Sequence, residues 1–260
     1  MASNLQSTIR DLQRRKARTT RGLALVEGVR LVEEALAAGL TIRGAVAAAE
    51  LERTTRGVAL RAELERHAIP VEEVGSRAFG QLADTETPQG IIAVVEPRRW
   101  RPADVPLGPR ATLLVIDGVQ DPGNVGTLIR TAHALGAAAT VVLRGTADVL
   151  NPKTLRAAMG ATFRHPVVSL DDAGLIAWAR QHGLTLWAAA ADGIPLARAL
   201  KGSSMPGPIG VIVGNEGGGI RPALNAVSAT RVAIPLAHGA ESLNVAVAAG
   251  ILLYEVSRGR

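Results

Sequence analysis

The sequence contains no cysteine, which excludes disulfides, thiolate zinc sites and a cysteine nucleophile. Aromatic side chains are nearly as scarce, with three Trp, two Phe and one Tyr in 260 residues. That leaves little material for the stacked platforms on which single-strand binders hold bases. The five histidines (His67, His133, His165, His182 and His238) lack the paired spacing of a metal site, so no metal is expected. No apolar run approaches the length of a membrane span, and no membrane partner is expected. The opening residues Met1-Ala-Ser-Asn-Leu-Gln-Ser-Thr show no basic-then-apolar leader, and a cytoplasmic location is the expectation. A GxxxxGK[ST] phosphate loop is missing, and so is a GxGxxG turn after the first strand of an α/β unit. Neither ATP nor NAD is favoured.

What the chain does have is positive charge, net +6 with a pI near 10.8, which suits an anionic partner such as nucleic acid. Arg10, Arg14, Arg15, Lys16, Arg18 and Arg21 cluster near the start, and Arg98, Arg99, Arg101 and Arg110 surround a proline-rich stretch. Arginine outnumbers lysine, which favours bidentate phosphate contacts. A plain compositional bias toward Arg and Ala accounts for the same pattern, so charge alone does not decide.

The clearest boundary is the segment Glu96–Arg110, where four prolines and a glycine break any periodicity. Before it, strands are predicted at 23–26, 42–48, 71–74 and 91–95, with helices at 29–38 and 57–67 and a loop over 84–90. After it, strands are predicted at 112–116, 139–143, 184–190, 209–213 and 231–234. Helices are predicted near 124–136, 152–159, 171–182 and 242–257. Apolar strands separated by helices imply a mostly parallel sheet covered on both faces. Two α/β domains are expected, the second the larger.

Three strand ends run into polar, glycine-rich loops. In the first, Thr112-Leu-Leu-Val-Ile116 leads into Asp117-Gly-Val-Gln-Asp-Pro-Gly-Asn-Val-Gly-Thr-Leu-Ile-Arg130. Ligands collect at such junctions because backbone N–H groups and helix N-termini are free there. Asn124 reads as the N-cap of the following helix, with Arg130 about two turns in and leaning back toward it. A capped helix with a surface arginine fits the segment equally well. The second loop is Gly214-Asn-Glu-Gly-Gly-Gly-Ile220, and the third is Leu236-Ala-His-Gly-Ala-Glu-Ser-Leu-Asn244 before the apolar run Val245–Val256. Glycines let backbone approach a ligand, and such edges recognise an adenine without charged side chains. A tight turn explains 214–219 as well, and helix capping explains Ser242. Glu216 is harder to assign to packing, being a carboxylate among glycines.

Three segments in this order resemble the signature motifs of the SpoU (TrmH) family of RNA ribose 2′-O-methyltransferases, in the SPOUT superfamily. They are Asp121–Arg130, Val213–Ile220 and Ile234–Val247, with Arg156–Phe163 and Thr87–Gly90 as further similar segments. The resemblance implies an α/β fold: a C-terminal, trefoil-knotted, mostly parallel sheet at 111–260, joined by a linker at 97–110 to a smaller N-terminal α/β substrate-binding domain at 22–96. Residues 1–21 are then a basic extension, in which Arg14, Arg15, Lys16, Arg18 and Arg21 are the expected RNA contacts.

The cofactor so implied is S-adenosylmethionine, cradled by loops at 188–193, 214–219 and 234–244. Its expected contacts are Gly214, Asn215, Glu216, Ile234, Pro235, Leu236, Ser242, Leu243 and Asn244. Arg130, Asn124, Glu216, Asn244 and Ser242 are the implied catalytic set: Arg130 acts on the 2′-hydroxyl, Asn124 and Asn244 position the ribose or a phosphate, and Glu216 organises the site or orients Arg130. The implied partners are RNA, ribosomal favoured over transfer RNA, and a second copy in a homodimer. A non-catalytic RNA-binding assembly factor is the competing expectation.

Overall fold

The computed structural model describes residues 5–201 and 207–258. The N-terminal run comprises α1 (Leu5–Leu12), α2 (Arg15–Arg21), β1 (Ala24–Glu27), α3 (Val29–Ala37), β2 (Thr41–Ala47), α4 (Thr55–Arg66), β3 (Val71–Glu73), α5 (Ser76–Gly80) and β4 (Ile91–Glu96). There follow β5 (Thr112–Asp117), α6 (Pro122–Ala134), β6 (Ala139–Leu143), α7 (Pro152–Ala158), α8 (Ala161–Arg164), β7 (Val167–Leu170) and α9 (Asp172–His182). The chain continues through β8 (Thr185–Pro195), α10 (Leu196–Lys201), β9 (Ile209–Gly214), α11 (Pro222–Val227), β10 (Thr230–Ala233) and α12 (Val245–Arg258).

These elements form two compact units. One joins the residues up to Arg98 with Asp148–Arg164, and the other joins Arg99–Ala147 with His165 onward. The smaller unit is built on a four-stranded mixed sheet, β1-β4-β2-β3, in which only β2 and β3 run parallel. Buried Val26, Val32, Ala45, Leu64 and Ile91 form one side of its core, and Leu155 of α7 and Phe163 of α8 belong to the same cluster. Those two helices therefore pack with the N-terminal residues, although the sequence places them between β6 and β7. Side-chain capping supports the local folds: Thr54 accepts from the Gly57 N–H at 3.0 Å, and Asn151 accepts from the Lys153 N–H at 2.9 Å.

The opening segment is not a loose arm from Leu5 onward, while residues 1–4 of the expected extension lie outside the described residues. Ile9 and Leu12 of α1 are fully buried against Phe79, Leu82 and Val94. Arg18, expected to face RNA, is 2% exposed. Its Nε and Nη2 donate to Asp148 Oδ2 at 2.9 and 2.6 Å, and its Nη1 donates to the Leu12 and Gln13 carbonyls at 2.8 and 2.7 Å. A guanidinium so enclosed is committed to the fold, because burying its charge is tolerated only with these partners. That reading of Arg18 is corrected. Arg21 is exposed but ion-paired with Asp11, whereas Arg14, Arg15 and Lys16 are exposed with no ion pair among the described residues.

The larger unit carries a six-stranded sheet, ordered β10-β8-β9-β5-β6-β7, with every neighbouring pair parallel. All six residues of β5 are buried, as a central strand covered on both faces requires. Leu113, Leu114, Val115 and Ile116 are 0% exposed, each contributing about 1.5–3 kcal/mol of burial. The proline-rich stretch expected as a linker packs on this core through Trp100, Val105 and Leu107. β7, α10 and α11 were absent from the sequence expectation. In a parallel sheet all strands end their C-termini along one edge, and that edge positions the site.

Candidate active site

Three loops meet at that edge. The first leaves β5 and enters α6. Asp121, not Asn124, caps this helix: its Oδ1 accepts from the Asn124 N–H at 2.8 Å, and Pro122 opens the helix. Proline suits the first helical position because φ is preset there and no N–H is missed. The expectation of an Asn124 cap is thereby corrected, and the Asn124 side chain is released for other partners.

The second loop is a turn held at both ends. Asn215 and Gly219 exchange backbone hydrogen bonds at 3.1 and 2.8 Å. The Asn215 side chain accepts from the Gly217 and Gly218 N–H groups at 2.8 and 3.2 Å and donates to the Gly118 carbonyl at 2.9 Å. One amide thus shapes this turn and stitches it to the first loop. Gly214 leaves no room for a side chain, since a Cβ there would lie 2.3 Å from the Gly219 carbonyl carbon. Beyond the turn, Asp117 at 1% exposure accepts from the Arg221 N–H at 2.8 Å and from its Nε at 2.6 Å. Arg221 also pairs with Asp172 at 2.9 Å. Glu216 therefore stands exposed on an anchored turn.

The third loop runs from Ile234 to Asn244. Asn244 Oδ1 accepts from the Ala246 N–H at 2.9 Å, so α12 starts at Val245 rather than at 242. Ser242 does not cap the helix; it is exposed on the loop.

The three loops are joined by side chains. Asn124 Nδ2 donates to Glu216 Oε1 at 2.7 Å, and Asn244 Nδ2 donates to Asn124 Oδ1 at 3.0 Å. Asn124 is the hub, linking partners 92 and 120 residues away in the chain. Arg130 is not brought in: it is exposed, and its side chain makes no hydrogen bond or ion pair among the described residues. Glu216 orients Asn124 within one chain, and the expectation that it orients Arg130 is not met there. Arg130 lies six positions after Asn124, which turns the two onto different faces of α6.

Beside this trio lies a cavity of about 390 Å³. Of the expected ligand contacts, Gly214, Asn215, Glu216, Ile234, Leu236, Ser242, Leu243 and Asn244 line it, and Pro235 does not. Sequence reasoning missed Glu241 and the apolar wall of Val213, Val232, Val245, Ala248 and Leu252. Ala189, Ala190 and Ala191 also line it, within the expected 188–193 segment. That segment is part of β8 rather than a free loop, yet consecutive Arg231 and Val232 pair with Ala188 and Ile194, so 189–193 bow out of the ladder. Apolar walls, backbone edges and the carboxylates of Glu216 and Glu241 suit a ligand with a flat apolar body and a cationic centre. Among the described residues, no three His, Asp or Glu side chains group as a metal site, and no helix is long and apolar enough to cross a membrane.

Comparison with known proteins agrees with this layout. A model of the SpoU rRNA Methylase family matches residues 111–254, and one of the MRM3-like substrate binding domain matches residues 7–93. The second match begins within α1, well before the expected boundary at 22. The chain is 38% identical over 246 residues to the 23S rRNA (guanosine(2553)-2′-O)-methyltransferase RlmP of Bacillus subtilis, covering 94% of this chain and 92% of that one. It is 32% identical over 202 residues to the 23S rRNA (guanosine-2′-O-)-methyltransferase RlmB of Salmonella typhimurium, covering 76% of this chain and 82% of that one. Among solved structures, an AdoMet-bound rRNA methyltransferase from Sinorhizobium meliloti superposes with a TM-score of 0.85 at 28% identity, covering 99% of this chain and 95% of the other. The SpoU methyltransferase AviRb from Streptomyces viridochromogenes, in complex with AdoMet, gives 0.84 at 28% identity, covering 98% and 97%.

Proposed function

The chain belongs to the SpoU rRNA methylase family, and from that premise we propose that it transfers a methyl group from S-adenosylmethionine to a ribose 2′-hydroxyl of ribosomal RNA. The observation that carries the reading is the hydrogen-bonded trio Glu216–Asn124–Asn244 at the mouth of the cavity. S-adenosylmethionine, when bound, supplies a methyl group already activated by the sulfonium charge. The remaining task is to place an oxygen in line with that methyl and to manage its proton.

The residues divide that task. The rim carboxylates of Glu216 and Glu241 favour a cation over a neutral ligand. Asn124 is held by its two partners, so its amide is preorganised to position a ribose or a neighbouring phosphate. Asn244 serves the same end while starting α12, and the Ser242 hydroxyl assists from the cavity wall. The Arg130 guanidinium is a cation with N–H donors and no acceptor, so it has no lone pair with which to take the hydroxyl proton. Its role is to stabilise the developing alkoxide as a cation, with the proton leaving by way of substrate phosphate or water.

The trefoil knot and the homodimer belong to this proposal. On α12, Val247, Ile251 and Tyr254 are 52%, 38% and 45% exposed at spacings that share one helix face. The helix packs on α6, where a Cβ on Gly250 would lie 3.4 Å from Thr131 Cγ2. A second copy on that apolar face accounts for its exposure, and it gives Arg130 a route to the other copy's trio.

The test is incubation with labelled S-adenosylmethionine and total RNA, followed by mapping of the modified ribose by primer-extension stops at low dNTP. Label on one ribose of ribosomal RNA is the expected result. Label on transfer RNA alone would overturn the choice of substrate. RNA binding without uptake of S-adenosylmethionine in calorimetry would leave an assembly factor instead.

A further inference from the structure

The loop after β6 carries an arginine to which no role has been given. Arg144 follows the last residue of β6 and is exposed, and it makes no hydrogen bond or ion pair among the described residues. Its loop is nevertheless fixed. Thr146 Oγ1 accepts from the Gly118 N–H at 3.1 Å and donates to the Ile116 carbonyl at 3.2 Å, and the Ala147 N–H donates to the Val119 carbonyl at 2.9 Å. Gly145 adopts φ +89°, which favours glycine, and lies in ordinary contact range of Gly118, a Cβ there being 3.7 Å from Gly118 Cα. Gly118 is held from its other side by Asn215. Arg144 is therefore mounted on the flank of the loop that presents Asn124, at the sheet edge where ligands bind.

Its lack of a partner sets it apart from two other arginines of the same unit. Arg221, after β9, is neutralised by Asp117 and Asp172, and Arg231 is paired with Asp192. A loop tied to residues 116–119 that carries a free guanidinium at this sheet edge fits an anion that arrives with the substrate. We propose that Arg144 is a positioning residue that binds a backbone phosphate of the RNA next to the acceptor nucleotide. The inference rests on the reading of the site as an RNA ribose methyltransferase.

The experiment compares the full-length protein with Arg144→Gln and Arg144→Lys on a transcribed ribosomal RNA, measuring KM for RNA at several salt concentrations. S-adenosylmethionine affinity and thermal unfolding are followed in parallel. Arg144→Gln should raise KM for RNA about tenfold or more and lower the log–log salt slope by about one. Arg144→Lys should recover most of the slope and part of the KM. Cofactor affinity and melting temperature should stay put, because the side chain touches neither cavity nor core. Absence of methyl transfer by the unaltered protein would overturn the reading of the site and this inference with it. A methylating wild type, with unchanged KM and slope in Arg144→Gln, would overturn the inference alone. So would a lowered melting temperature that Arg144→Lys repairs, since that marks a structural role.

Discussion

Replacing Asn124 by aspartate swaps one N–H₂ for an oxygen and leaves the rest of the residue in place. The hydrogen bond to Glu216 at 2.7 Å is lost, while the bond accepted from Asn244 at 3.0 Å survives. Loss of a bond to a charged group costs about 1.5–3 kcal/mol, and the lower figure applies because Glu216 is exposed. Two carboxylates at that separation also repel by about 1.5 kcal/mol even in a water-like dielectric. The sum, about 3 kcal/mol, corresponds to roughly a hundredfold loss in kcat/KM at pH 8. A paired carboxylate takes up a proton more readily than an isolated one, and a shared proton restores the missing donor. Activity of Asn124→Asp should therefore climb relative to wild type toward the acid end of the pH range. Asn124→Ala forfeits both bonds without adding charge; it should lose about tenfold and show no such recovery. Rates of methyl transfer measured from pH 5.5 to 9 separate the cases. An aspartate variant as active as the alanine variant at pH 8, or with no pH-dependent recovery, would refute the hub.

Other outcomes follow from the same geometry. Burial, and next the nearby His133 charge, push His165 down to about 4; it is 2% exposed with Nε2 at 2.9 Å from Thr140 Oγ1. It stays neutral when folded while the unfolded chain protonates below about 6.5, so stability should fall with pH from about 6.5 to 4, by up to ~3 kcal/mol, and urea titrations of His165→Gln should show that slope flattened. Arg18→Met strips Asp148 of its partner and leaves two carbonyls unmet, which should cost about 3 kcal/mol in denaturant unfolding. Asp117→Asn should cost about 1–3 kcal/mol and weaken cofactor binding by loosening the 214–221 turn; unchanged calorimetric affinity would count against that anchoring role. An Ile251→Asp and Tyr254→Asp double variant should sediment as a monomer and lose methyl transfer; full activity as a monomer would refute a role for the second copy.

The parallel sheet was legible because Thr112–Asp117 and Ile209–Gly214 are short apolar runs bounded by glycine-rich loops, a pattern that buried parallel strands write directly. Val167–Leu170 was not, being a short edge strand with an exposed Ser169. Asn124 reads as the cap in the sequence, and only the fold shows that Asp121, just before Pro122, takes that place. Arg18 was expected to face RNA with the rest of the basic start because nothing in the sequence marks it as different from its neighbours. Its burial depends on Asp148, 130 residues away. The allegiance of Leu155 and Phe163 to the N-terminal core is likewise a tertiary fact with no local signature. The site's loops were legible as glycine-rich strand ends and, through family resemblance, as one site. The cavity's alanine wall at 189–191 was legible only through the resemblance, which implies a cofactor loop at 188–193, while the apolar run itself reads as strand as far as 190.

A crystal structure with S-adenosylhomocysteine would probe the convergence of the three loops most directly. The ligand should lie in the cavity between Ala189–Ala191, the Gly214–Gly219 turn and the Ile234–Asn244 loop, with its sulfur facing the Asn124–Glu216 pair. Ligand bound elsewhere, or an empty cavity in a protein that binds it in solution, would contradict the account.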